Sequence, residues 1–100
     1  MSESARTVVI EFDGDLDLTR TGEIEQKVPD LHQVDRLVLD LSAAHSVDSS
    51  FIAQIMTLRR QYLRTGGDQL DIVVIAPANI RRVLELTGVA RVVTVLVPGA

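Results

Sequence analysis

The sequence predicts an α/β fold, a mixed, mostly parallel β-sheet covered by amphipathic helices. Two observations carry this. Hydrophobic residues make up 46% of the chain and aromatics only 3%, so Val, Ile, Leu and Ala must build the core, as in a sheet under helices. Short apolar runs with strand character alternate with segments of helical period, in the order strand, helix, strand, helix, strand. That order implies right-handed crossovers between parallel strands, and it brings strand ends and helix starts to one edge of the sheet. At 100 residues the chain suits one domain, because a chain this short buries roughly two thirds of its unfolded surface in a single core. No linker, internal repeat or low-complexity tract divides it.

Thr7 to Phe12 alternates weakly and is rich in β-branched residues, the pattern of an opening strand, and Asp13-Gly14-Asp15 then supplies turn chemistry. From Thr19 onward, Ile24, Val28 and Leu31 form one helical stripe, with Thr19 or Thr21 available as a cap, although Gly22 and Pro29 weaken this helix. Leu37-Val38-Leu39-Asp40-Leu41 is nearly continuous in apolar residues, which predicts a central strand covered on both faces. Phe51, Ile55, Leu58 and Tyr62, flanked by Ile52, Met56 and Leu63, predict the longest helix, stopped by Gly66-Gly67. Leu70 and Ile72 to Ile75 form a second buried strand. Pro77 then opens a helix with Ile80, Val83 and Leu84 inward, and Gly88 ends it. Val92 to Val97 closes the chain as a third apolar strand.

Charge and composition exclude several classes of function. A net charge of −4 disfavours nucleic acid, which needs a basic surface and interleaved aromatics. The absence of cysteine removes disulfides, thiolate chemistry and the usual zinc sites, and fits a reducing cytoplasm. Met1 to Arg6 is polar, read as a flexible lead-in with no apolar signal segment behind it, and no apolar run approaches a membrane span. The expectation is a soluble cytoplasmic protein without direct membrane insertion. His32 and His45 read as surface or loop residues, and no serine is spaced with His and Asp as in a hydrolase. No enzyme activity, cofactor or metal is expected. The Arg59, Arg60 and Arg64 cluster and the Arg81-Arg82 pair read as solvated faces.

Chemistry concentrates in Asp48-Ser49-Ser50, just after the central strand and at the start of the longest helix. One reading is an N-cap, for which Asp and Ser are both favoured. A cap needs only one such residue, so a hydroxyl is left over. A phosphate placed there would meet the unpaired N–H groups and positive dipole end of the helix.

The run "LVLDLSAAHSVDSSFIAQIMTLRRQYLRTGG", followed by "LDIVVIAPANIRRVLELTGV", resembles the STAS domain family of bacterial anti-sigma factor antagonists. "GDLDLTRT" at residues 14–21 is similar to that family's Gly-Glu-Leu-Asp turn. The resemblance implies that Ser49 is phosphorylated by a kinase that is itself an anti-sigma factor, with Ser50 as second candidate and Asp48 supporting the site. It also implies that Asp15 and Asp17 lie near the acceptor and contact the partner, although spacing alone reads them as turn residues. Phe51 stands where the family commonly has Gly, and is either a partner anchor or core packing through its helical stripe. The chain stops at Val97-Pro98-Gly99-Ala100, where relatives usually continue into a final helix.

Two functions follow from the resemblance. The first is a binding module that, when unphosphorylated, captures an anti-sigma factor serine kinase and frees a sigma factor, with a serine phosphatase resetting it. The second is a regulatory subunit of a larger assembly, such as a lipid-transport ATPase or a stress-signalling complex. The expected association state is a monomer or weak homodimer, because net charge opposes aggregation.

Overall fold

The computed structural model describes residues 7–20, 22–27, 34–64 and 71–99, with the backbone alone at 25 and 62–64. Strand β1 (Thr7–Leu16) leads through a short 3-10 turn (Leu18–Arg20) into helix α1 (Gly22–Lys27). Strand β2 (Arg36–Val47), helix α2 (Ser49–Arg64), strand β3 (Asp71–Ile75) and helix α3 (Ala78–Leu86) follow. A second 3-10 turn (Val89–Arg91) precedes strand β4 (Thr94–Leu96). The strands form one sheet in the order β1-β2-β3-β4, and every described pair is parallel. Each connection therefore crosses over through a helix, as the alternating pattern predicts.

Register explains where the core sits. Ile10 is paired with Leu39, and Leu39 with Val74, so these three point to the same side of the sheet. They meet Ile24 of α1, Ile55 of α2 and Ile80 of α3 in one cluster. Phe12 and Phe51 join that cluster edge to face, with ring centroids 5.3 Å apart. On the opposite side Val38 and Val73 are buried too, which accounts for the unbroken apolar run in the central strand. Val9, in register with Val38 but on the edge strand, stands exposed.

Three expectations need correcting. Asp13-Gly14-Asp15 is not a turn; it lies within β1, whose pairing with β2 continues to Leu16. Gly22 does not interrupt its helix but begins it, where its lack of side chain is least harmful. The closing strand is much shorter than Val92 to Val97, because the N–H groups of Val92 and Val93 both turn back to the carbonyl of Val89. Only Thr94–Leu96 pairs with β3, as a half-exposed edge. Elsewhere the boundaries agree: Pro77 precedes α3, and Gly88 ends it in the left-handed region at φ 86°. Met1 to Arg6, Thr21, Val28, Pro29, Leu31, His32, Gly66-Gly67, Leu70, Ala100 and the side chains of Tyr62, Leu63 and Arg64 lie outside the described residues. Among the described residues, no helix is long and apolar enough to cross a membrane.

Candidate functional site

Two irregularities in the β1–β2 ladder build the site. Between Glu11 and Asp13 of β1, β2 advances from Asp40 to Ala43, and between Gly14 and Asp15 it advances from Ala44 to Ser46. Each shift places one extra residue on β2. Such bulges release backbone groups from the ladder, and these turn to other partners. Side chains supply them here. Asp40 Oδ1 accepts from the Ser42 N–H at 2.9 Å, and Asn79 Nδ2 of α3 donates to the His45 carbonyl at 2.8 Å.

The second bulge brings the end of β1 level with the end of β2. Asp15 pairs with Ser46, whose hydroxyl donates to Asp15 Oδ1 at 2.8 Å. One step on, the Asp48 N–H donates to the Leu16 carbonyl at 3.1 Å. The start of α2 is thus fastened to β1 on one side and, through His45 and Asn79, to α3 on the other. Asp48 makes the cap itself, its Oδ1 accepting from the Phe51 N–H at 3.1 Å, three residues on. Ser49, the first residue of α2, is exposed, and Ser50 is half-buried.

Arg20 holds the other wall. Its Nη1 donates to the Asp13 carbonyl, its Nε to Glu23 Oε2 at 2.5 Å, and its Nη2 to Glu23 Oε1 at 3.0 Å. The Arg20 guanidinium holds the Glu23 carboxyl below the usual carboxylate range, and Glu23 in turn raises the Arg20 value. Asp17 caps the Leu18–Arg20 turn: its Oδ1 accepts from the Thr19 hydroxyl at 2.5 Å and from the Thr19 N–H at 3.0 Å. Those two bonds lower the Asp17 value as well. Because both acids titrate lower when folded, their stabilising contribution is present above the ordinary carboxylate range and is lost as pH falls through the lowered values. Asp17 and Glu23 are therefore anionic throughout the neutral range.

Gly14 permits this arrangement. It sits at φ 70°, and a Cβ there would lie 3.2 Å from Arg20 Nη1. Gly14→Ala is expected to destabilise the domain by about 1–2 kcal/mol from the left-handed backbone alone, read as a lower urea midpoint with unchanged slope. An unchanged midpoint would mean that the bulge relaxes freely.

The structure thus brings Asp15, Asp17, Asp48, Ser49 and Ser50 together at one end of the sheet. It does not bring Phe51 with them. Phe51 is completely buried against Phe12, so the idea of an exposed anchor at this position is wrong and the core packing of its helical stripe stands. His45 is exposed, as expected, but belongs to β2 rather than to a loop. A cleft of about 360 Å³ opens beside the first bulge, lined by residues including Glu11, Lys27, Asp40 and Ser42, and Ser49 does not line it. Sequence reasoning missed Arg20, Ser46 and Asn79. Only Asn79 left a signal, as a residue of poor helix propensity just inside the start of α3.

The STAS domain family model matches residues 1–97. The chain belongs to the STAS domain family. Among solved structures, this STAS domain is similar to the anti-sigma factor antagonist SpoIIAA in its unphosphorylated form. The two share 20% identity over 92% of this chain and 94% of that one, with a TM-score of 0.60. At that identity the likeness is one of fold. No curated protein gives a significant match.

Proposed function

We propose that this STAS domain is an anti-sigma factor antagonist whose unphosphorylated form captures an anti-sigma factor serine kinase and so frees a sigma factor. Phosphorylation of Ser49 ends the capture, and a serine phosphatase restores it. The exposed hydroxyl of Ser49 supports this reading most directly: it stands on the first turn of α2, while Asp48 rather than Ser49 makes the cap. Modification therefore costs the helix no existing cap. In the transfer, the Ser49 oxygen bonds to the terminal phosphorus of ATP, the bond to ADP breaks, and the hydroxyl proton passes to a base on the kinase. The product phosphate meets the helix N-terminus, where backbone donors and dipole favour an anion. Asp15 and Asp17, on either side of the Leu16 whose carbonyl holds the Asp48 N–H, form the acidic part of the partner surface.

Purified kinase and ATP test the assignment. The wild-type chain is expected to gain one phosphate, located at Ser49 by fragment mass spectrometry, and Ser49→Ala to gain none. Modification of Ser50 at full rate in Ser49→Ala would move the acceptor. Recovery from the source cell of transporter or scaffold subunits instead of a kinase would point to a regulatory subunit of a larger assembly.

A further inference from the structure

Among the described strands β1 is outermost, and its ten residues make a long edge. N–H and C=O groups along such an edge are a template on which a further strand can pair. Three of its carbonyls are taken up by cations instead. Lys27 Nζ, from the last turn of α1, donates to the Glu11 carbonyl at 3.1 Å. Arg20 Nη1 donates to the Asp13 carbonyl and reaches that of Asp15 at 3.5 Å. The contacts fall on alternate residues, the spacing at which a strand turns its backbone groups to one side, while β2 pairs along the other.

Both cations are held in place. The Lys27 ammonium lies 4.8 Å from the centre of the Phe12 ring and 3.7 Å from Glu23 Oε1, and the same Glu23 carboxylate binds Arg20. What they exclude follows from strand geometry. The opposite edge, β4, offers only three residues, so β1 is the edge with the length for pairing. A second copy of β1, antiparallel about a twofold axis at Val9, would set Thr7 opposite Glu11 and use the Glu11 carbonyl as an acceptor. Val9, 55% exposed, would then be covered by its own copy, which favours association. A register shifted towards Leu16 would call on the Asp13 and Asp15 carbonyls as well.

We propose that Lys27, seconded by Arg20 and joined to it through Glu23, closes the outer edge of β1 against strand pairing with a second copy of this chain. The inference is independent of the kinase-capture reading. Sedimentation velocity of the full chain over a range of concentrations tests it. Lys27→Met keeps an apolar stem over Phe12 but withdraws the donor from the Glu11 carbonyl. It is expected to tighten self-association roughly tenfold or more relative to wild type. Adding Val9→Pro should reverse this, because the Val9 N–H, two residues from Glu11, faces the outer edge, where proline is tolerated. Lys27→Arg retains a donor and should behave as wild type. Unchanged association of folded Lys27→Met overturns the proposal, and so does association that persists after Val9→Pro. A wild-type chain that is already associated and comes apart on Val9→Pro would show an open edge and overturn it equally. Should Lys27→Met fail to fold, Lys27→Gln, which removes the charge and shortens the reach, is read by the same comparisons.

Discussion

Truncating Phe51 to alanine is expected to lower the stability of the domain by about 3–5 kcal/mol, the largest single loss foreseen for this chain. The side chain is fully buried and meets Phe12 edge to face at 5.3 Å, so truncation removes both its burial and an aromatic pair. It also leaves a cavity between β1 and α2 that close-packed neighbours fill only in part. For a domain of this size each kcal/mol corresponds to about 4–8 °C in melting temperature, so the loss is readily seen by thermal unfolding. Phe51→Leu keeps most of the volume and should fall between alanine and wild type. A Phe51→Ala protein that melts like wild type but fails to bind the kinase would contradict the buried position and restore the surface anchor.

The second large effect concerns binding rather than folding. Ser49→Asp, and more strongly the phosphorylated protein, should lose capture of the anti-sigma factor kinase while the circular dichroism spectrum and melting temperature stay nearly unchanged. A seryl phosphate carries about −1.5 to −2 charges, and the helix N-terminus accommodates it without rearrangement. It would sharpen a surface already bearing the carboxylates of Asp15, Asp17 and Asp48. A partner carboxylate about 4 Å from one unit of that charge would feel roughly 4 kcal/mol of repulsion at an effective dielectric near 20. Ser49 is exposed, so salt and solvent reduce this figure, yet even a third of it weakens binding about tenfold. The loss should shrink as ionic strength rises. Unchanged affinity of Ser49→Asp at both low and moderate salt, with phosphoprotein still released, would show that the switch depends on phosphate geometry rather than charge. A marked fall in its melting temperature would show that the switch works through the fold.

Both effects turn on what α2 does with its first turn. Spacing alone left Asp48, Ser49 and Ser50 as rival caps, and left Phe51 either inside or outside, because a helical stripe names a face without naming what covers it. The ladder between β1 and β2 settles the matter. With the Asp48 N–H held by the Leu16 carbonyl, α2 starts in a fixed orientation, Asp48 caps it, and Phe51 points at Phe12. Asp13-Gly14-Asp15 illustrates the same limit. A glycine flanked by acids satisfies the left-handed backbone of a turn and of a strand irregularity equally well, so its chemistry was legible but its role was not.

What the sequence determined by itself was local: strands and helices follow from hydrophobic period and β-branched content, and the two ends of α3 from Pro77 and Gly88. These depend on residues within a turn or two of each other. The tertiary structure alone decided the contacts that join distant segments. Ser46 meets Asp15 across 31 residues, and Asn79 meets the His45 carbonyl across 34. Such pairs depend on strand register, which two extra residues in β2 reset along the way. No local periodicity encodes that count, because backbone groups that a bulge releases are taken up in part from other elements, as Asn79 of α3 takes the His45 carbonyl.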